Sequence, residues 1–210
     1  MIVVPSIHAN DDLLDRCLTS IDDYTPAGVQ VIVADHPDHT FAENCNAGVA
    51  ADPNGPYVVF LNDDTEVTDG WYENLVAPFH DPTVNVVGCR LVYPDGSLQH
   101  AGVYLDFQAG ILTAHNYQTE QVVGPVEAVT GACMAVRRTY AWFDEKFRNG
   151  YEDVDLCLRV GGVWYTDQAT VIHHESRSGP RRWEAVTDNI ELLHYRWGDE
   201  LHRRAGTHPR

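Results

Sequence analysis

An apolar run that stops in acid constrains this chain more than any other feature. Tyr57-Val58-Val59-Phe60-Leu61 reads as a buried strand, and Asn62-Asp63-Asp64-Thr65 follows it without a break. Ending a buried strand on two adjacent carboxylates is costly unless positive charge meets them. In an open α/β sheet the carboxyl ends of strands are also where ligands bind. A divalent metal holding a phosphate satisfies both conditions. Hard oxygen donors suit Mg2+ or Mn2+, which keep several waters and take substrate phosphates as ligands. Taken alone, Asn62, Asp63 and Asp64 also fit a solvated turn; their position behind a buried strand is what favours a site.

The residues around this run alternate strand and helix. Ile2 to Pro5 reads as a buried strand. Asp11 and Asp12 suit a helix start, and Leu13, Leu14, Cys17, Leu18 and Ile21 form one apolar face. Val29 to Ala34 is a second strand and Phe41 to Ala51 a helix, closed by the breaker cluster Asp52-Pro53-Asn54-Gly55-Pro56. Gly70 to Phe79 reads as a helix and Val84 to Val92 as a strand. That order implies an α/β fold, a parallel sheet with helices on both faces. In the second half, Leu91 to Ser97 signals a turn between extended segments. Residues Gly102 to Gln121 carry no clean period and read as a mobile, substrate-facing insertion. Val126 to Val136 is expected to be a strand broken at Gly131-Ala132, Glu152 to Val160 a short helix and Trp164 to Ile172 a strand. Trp183 to Arg204 has helical spacing through Ile190, Leu193, Trp197 and Leu201. The expected organisation is one domain over residues 1–182, with a nucleotide-binding half (1–93) and an acceptor and catalytic half (94–182). A C-terminal helical appendage (183–210) follows.

The formal charge of -17 over 210 residues disfavours nucleic acid and anionic membranes as partners. It also repels a phosphorylated substrate, which then needs a metal or a local basic patch. Arg177, Arg181 and Arg182 follow the histidine pair, and Arg196, Arg203, Arg204 and Arg210 lie in the tail, which reads as a solvated helix face in preference to an anion-binding lid. Glu175-Ser176-Arg177-Ser178-Gly179 reads equally as a surface loop or as a segment closing over a diphosphate. Five scattered cysteines without a C-x-x-C pair read as reduced core residues. The chain opens directly into a strand and has no long apolar segment, so a soluble, cytoplasmic protein without an integral membrane segment is expected. Oligomeric state is open.

Three more places carry candidate chemistry. Glu152 and Asp153 open a helix, where the dipole favours acids and keeps a carboxylate ionised, as a general base must be. Asp155 and Arg159 read as an ordinary helix-face pair. His173 and His174 end a strand and point to opposite sides, so one of them faces a given site, and neutral imidazole ligates Mn2+ or Zn2+. Asp35 ends the second strand, either as a turn initiator before His36-Pro37 or as an acceptor for a nucleobase N–H. Pro5-Ser6-Ile7-His8 ends the first strand beside it as the other wall of that pocket.

The ordered set resembles family 2 glycosyltransferases with the GT-A fold, near their rhamnosyltransferase-like branch. Val3-Val4-Pro5-Ser6 resembles the opening strand, and Val31-Ile32-Val33-Ala34-Asp35 the second strand with its base-binding aspartate. Asn46-Ala47-Gly48 resembles the N-x-G helix, and Phe60 to Thr65 the family's form of the DxD motif. Asp95-Gly96-Ser97-Leu98-Gln99-His100-Ala101-Gly102 resembles a glycine-bounded segment of the family. Thr130-Gly131-Ala132 and Phe143-Asp144-Glu145 follow in the expected order. Tyr151-Glu152-Asp153-Val154-Asp155-Leu156-Cys157-Leu158-Arg159 matches the E-D-x-D signature, and His173 stands where the family has a metal-binding histidine. Two stretches depart from the pattern: Arg138-Thr139-Tyr140-Ala141-Trp142 is short and bulky, and His36-Pro37 replace the usual aspartate or glycine.

The resemblance implies a Rossmann-like, mostly parallel central sheet with helices on both faces and a small second sheet. It implies metal binding by Asp64, His173 and Asp63, with Mn2+ or Mg2+ as cofactor. Nucleotide contacts would come from Pro5, Ser6, Ile7, His8, Asp35, Asn46, Asn62 and Asp63. Asp153 would be the general base, with Glu152 the second choice. Gly131 and Ala132 would floor the sugar site, with His100, Trp142 and Arg177 as further sugar or acceptor contacts. The implied reaction is inverting transfer from a nucleotide-diphosphate sugar, UDP- or dTDP-linked in preference, to a glycan, lipid-linked, small-molecule or protein acceptor. Two other readings stay open at this point. A nucleotidyltransferase would want an early Gly-rich phosphate loop, which the N-terminal half lacks. A non-catalytic sugar-nucleotide or glycan binder would keep the fold without needing the Glu152-Asp153 pair.

Overall fold

The computed structural model describes residues 1–8, 10–175 and 185–207. Eleven strands can be numbered among them: β1 (Ile2–Pro5), β2 (Val31–Ala34), β3 (Tyr57–Leu61), β4 (Thr65–Val67), β5 (Val86–Val92), β6 (Leu98–His100), β7 (Val103–Gln108), β8 (Ile111–Asn116), β9 (Gly124–Pro125), β10 (Cys133–Arg137) and β11 (Val163–His173). The helices are α1 (Asp11–Tyr24), α2 (Phe41–Ala51), α3 (Trp71–Val76), α4 (Glu152–Val160) and α5 (Val186–Thr207), with short 3-10 turns at Ala77–His80 and Arg138–Tyr140.

The main sheet runs β2-β1-β3-β10-β5-β11-β4, and β6 and β9 pair with β5 and β11. Strands β2, β1, β3, β5 and β11 share one direction, while β10 and β4 run against them. The mostly parallel sheet expected from the sequence is present. Its antiparallel β10 departs from the purely parallel order that strand and helix alternation suggested.

Period-two alternation splits the sheet into two cores. Val3, Val58, Phe60, Met134 and Val136 face one side, where α2, α4 and α5 supply Cys45, Leu156 and Leu193. Ile2, Val4, Val59, Leu61, Cys133 and Ala135 face the other, covered by α1 and α3 through Leu14, Ile21, Trp71 and Leu75. All five cysteines are buried and free.

Two expectations change. Residues 102–121 are not a structureless insertion, because β7 and β8 pair over six positions as the small second sheet. Their turn, Ala109-Gly110, puts both residues at positive φ (50° and 84°), as the favoured two-residue hairpin turn requires. Tyr104 on the outer face and the adjacent Ile111 and Leu112 blur the period. The C-terminal helix is also not an appendage. Leu193 is fully buried in the first core, and Leu192, Trp197 and Leu201 pack against it. Arg196 reaches Asp144 at 2.6 Å and the fully buried Asp155 at 3.1 Å, and Trp197 Nε1 donates to Asp155 Oδ1 at 3.0 Å. Asp155 therefore holds α5 as well as its helix neighbour Arg159.

Gly88 in β5 marks a close approach. A Cβ there would overlap the Cβ and both methyls of Val129, just before the loop that becomes the cleft floor. Valine Cβ is fixed by its backbone, so no rotamer change relieves the clash. Overpacking of this kind costs about 1–3 kcal/mol, more than alanine gains over glycine in a strand. Gly88→Ala should lower stability by about that amount in a denaturant titration; an unchanged midpoint would contradict the packing.

Candidate active site

The carboxyl ends of β1 and β3, the loop before β10, the first turn of α4 and the end of β11 enclose one cleft of about 270 Å³. Pairing of β4 with β11, with Thr65 opposite His173, brings the acidic end of β3 to the histidine. His173 Nε2 lies 3.2 Å from Asp64 Oδ1, and both side chains are nearly buried. The backbone N–H of His174 donates to the Asp64 carbonyl at 2.9 Å, while the His174 ring turns away to Glu66. The opposite orientation of the two histidines follows the strand period.

Asp63 turns towards β1, where the Ser6 hydroxyl donates to its Oδ2 at 2.6 Å. Burial pushes the Asp63 carboxyl above the usual range, and the Ser6 bond opposes that shift. Asn62 donates its N–H to the Ala132 carbonyl at 2.9 Å, while its side-chain Oδ1 is buried with no partner among the described residues. No group of three or more His, Cys, Asp or Glu among the described residues is placed to hold a cation alone. The donor set nevertheless fits Mn2+ or Mg2+: a carboxylate, an imidazole nitrogen and an orphaned amide oxygen share one cleft, and such ions take their remaining ligands from water and phosphate.

The two acids expected as candidate bases come from α4. Asp153 Oδ2 accepts the Gly131 N–H at 2.7 Å, and Oδ1 accepts from Val154 N at 2.8 Å. Gly131 leaves room there, since a Cβ would stand 3.1 Å from the Phe41 ring and 3.4 Å from the Asp153 Cβ. Glu152 is buried, and its Oε2 accepts from Gly150 N at 2.6 Å. Burial, then the neighbouring charge of Asp153, pushes the Glu152 carboxyl up to about 8.

Asn149 and Tyr151, on either side of Gly150, have φ of 54° and 70°. Asn149 Oδ1 accepts from Phe41 N at 3.0 Å. The buried Asn189 of α5 clamps the preceding residue: its Oδ1 accepts from Arg148 N at 3.1 Å and its Nδ2 donates to Arg148 O at 2.9 Å. Such backbone persists only where its surroundings over-determine it.

Pro5, Ser6, Ile7, Asn62, Asp63 and Asp64 line the cleft, as do Gly131, Ala132, Glu152, Asp153 and His173. Five expected residues do not. Asp35 and His8 stand beside it, paired with each other at 3.2 Å, and His8 also binds Asp11; these bonds raise the His8 pKa. Asn46 is a correction: its amide is spent on the backbone of Phe143 and on Glu145. Asn44, two residues earlier on another helix face, lines the cleft and ties Ser6 to His36. His100 is also a correction. It is buried against Asn116 at 2.9 Å, and burial lowers its pKa to about 4, so it holds the hairpin as a neutral ring. Trp142, half exposed, lies outside the cleft, since the 3-10 turn at Arg138–Tyr140 and the buried Ala141 turn it outward. Arg177 lies outside the described residues. The sequence reading missed His39, Phe41, Asn44, Thr130, Asn149 and Gly150 as lining residues, while Glu175, the first residue of the segment read as a surface loop or a diphosphate closure, also lines the cleft; the Asn149-Gly150 turn pair was a usable signal.

The profile of Glycosyl transferase family 2 matches residues 7–142. The chain belongs to this family. An O-antigen biosynthesis protein, RfbC, of Myxococcus xanthus is 34% identical over 183 residues, covering 77% of this chain and 14% of that protein. A pre-mycofactocin glycosyltransferase of Mycobacterium tuberculosis is 31% identical over 180 residues, covering 80% of this chain and 37% of that protein. The chain thus spans well under half the length of these family relatives. Among solved structures, GalNAc-T7 with UDP, GalNAc and Mn2+ superposes with TM-score 0.68 at 14% identity, covering 92% of this chain and 47% of that one. The mannosyltransferase PcManGT from Pyrobaculum calidifontis, with GDP-Man and Mn2+, gives 0.59 at 13% identity, covering 99% and 65%. At such identities the likeness is one of fold, which is GT-A. Among the described residues of this family 2 chain, no helix is long and apolar enough to cross a membrane.

Glu152 makes stability depend on pH. Its carboxyl keeps a proton up to about 8 in the folded chain and releases it near the ordinary 4.5 when unfolded. The folded state binds more protons in that window, so stability falls as pH rises through it. Glu152→Gln removes this group's slope. The melting temperature of the variant relative to wild type should therefore climb between about pH 4.5 and 8. A difference constant across that range would refute the raised carboxyl.

Proposed function

We propose that the chain is a metal-dependent, inverting glycosyltransferase domain that moves a sugar from a nucleotide-diphosphate sugar to an acceptor hydroxyl. The observation that carries this reading is the convergence of the Asp64–His173 pair and Asp153 in one cleft. Asp64 and His173, assisted by Asp63 or Asn62, would hold Mn2+ or Mg2+. A divalent cation bound there would neutralise charge on the departing nucleoside diphosphate. In this division of labour, residues 1–93 hold the nucleotide and residues 94–182 the acceptor and base, with α5 (Val186–Thr207) bracing the base's loop through Asn189.

Asp153 is the better base. It lines the cleft with a fixed carboxylate, whereas Glu152 holds its proton at neutral pH. Asp153 takes the acceptor proton as the hydroxyl attacks the anomeric carbon opposite the leaving diphosphate, through an oxocarbenium-like transition state. Asp35, at the end of β2, suits the ring N–H of uracil or thymine, with guanine the alternative. Glycan, lipid-linked, small-molecule and protein hydroxyls all remain candidate acceptors. Five free, buried cysteines suit a reducing, cytoplasmic setting, and the acidic balance argues against nucleic acid as partner.

Calorimetric titration of UDP, dTDP and GDP, each with and without Mn2+, tests the reading. One diphosphate should bind in a Mn2+-dependent way, and Asp64→Asn should abolish that dependence. Asp153→Asn should bind the donor as wild type does yet lose at least about 100-fold in turnover, measured as nucleoside diphosphate release. Absence of binding by folded protein would sink the transferase reading; full turnover in Asp153→Asn would sink the base.

A further inference from the structure

Gln99, on β6 beside the end of β11, makes two contacts with one residue. Its Nε2 donates to the His173 carbonyl oxygen at 3.3 Å, and its Oε1 lies 2.6 Å from His173 Nδ1. A carbonyl oxygen only accepts, so the amide nitrogen must be the atom facing it. This sets the amide's orientation and turns Oε1 towards the ring. An amide oxygen also only accepts, so Nδ1 must carry the ring proton. In the neutral ring, Nε2 then keeps its lone pair, and it faces Asp64 Oδ1 at 3.2 Å. The Nε2 lone pair and the Asp64 carboxylate therefore face the same point, where one divalent cation can take both as ligands.

We propose that Gln99 is a positioning residue that holds His173 as the Nδ1–H tautomer. This keeps the Nε2 lone pair and Asp64 available together to a divalent cation arriving with the donor diphosphate. The inference rests on the metal reading of the site above. Without Gln99, the ring is free to protonate Nε2 instead and donate it to Asp64. The two ligands would then satisfy each other, and the cation would have to break that bond before binding. Metal-ligating histidines are commonly oriented through their second nitrogen, and loss of such a partner costs about 10–100-fold in metal affinity.

The test separates the tautomer from the metal. Long-range 1H–15N NMR at mildly alkaline pH, where imidazole is neutral, reads which nitrogen of His173 is protonated, with His173→Gln assigning the signal. Mn2+ affinity is read by electron paramagnetic resonance of the free ion at saturating UDP. Wild type should show Nδ1–H. Gln99→Met, of similar length but with only a weakly accepting thioether, should shift the ring to Nε2–H and weaken Mn2+ by about 10–100-fold. Gln99→Glu keeps an acceptor and should retain both Nδ1–H and Mn2+ affinity within severalfold. An Nε2–H ring in wild type, or Gln99→Met binding Mn2+ as wild type does, overturns the proposal. Should Gln99→Met fail to fold, the wild-type tautomer and Gln99→Glu still decide it. If wild type shows Nδ1–H but binds no Mn2+ with UDP, the metal reading has failed, and the cation role of Gln99 with it, while the hydrogen bond stands.

Discussion

The rest of the structure depends on β10, which runs antiparallel between β3 and β5 and joins β2-β1-β3 to β5-β11-β4. Without that strand the sheet falls into two short pieces, each with an unpaired edge. Its residues feed both cores in alternation, Met134 and Val136 to one and Cys133 and Ala135 to the other. The strand also delivers the cleft floor. Ala132, just before it, accepts the Asn62 N–H, and Gly131 donates to Asp153. The acid-bearing end of β3 and the acid-bearing turn of α4 thus meet through one loop. The tight seat of Gly88 against Val129 sets where that loop begins.

Five carboxylates, Asp63, Asp64, Glu152, Asp153 and Glu175, line the cleft in a chain that is already strongly acidic. Asp63 accepts from the Ser6 hydroxyl, Glu175 from the Tyr93 hydroxyl, and Asp153 and Glu152 from backbone N–H groups, with Glu152 also pushed towards its protonated form, while Asp64 faces the His173 ring. Buried carboxylates without such partners would each cost several kcal/mol. Separating neighbouring acids by their surroundings, so that one holds a proton and the other does not, is how a site assigns acid and base roles.

Positive φ values at non-glycine residues gather around this cleft. Among the described residues, His8, Asn149, Tyr151 and Glu175 all lie on or beside its wall, and the one other case, Ala109, is in the hairpin turn. Backbone in this region is sustained by its neighbours. For the Asn149–Tyr151 turn, those neighbours include Phe41 at the start of α2 and Asn189 on α5. The C-terminal helix therefore acts on the site through the backbone rather than by lining it.

Much of the fold was legible in sequence because local physics decides it. The helices Phe41–Ala51 and Glu152–Val160 begin and end where the sequence pattern ends them. A capping box of Thr40 and Glu43 starts the first. The strand Tyr57–Leu61 and the acids behind it were likewise plain from burial and charge. What the sequence by itself determined was the set of elements and the chemistry at their ends. Tertiary pairing alone decided which ends meet. β4 was too short to read, yet its register against β11 makes Asp64 and His173 neighbours. The N-x-G pattern singles out Asn46, but the helix rotation gives Asn44 to the cleft and Asn46 to Phe143. His100 and Gln99 are adjacent in β6, and alternation sends one into the hairpin core and the other to His173. Side-chain identity is a property of the chain; the direction a side chain faces is set by strand register and helix packing, which exist only once distant segments are in contact.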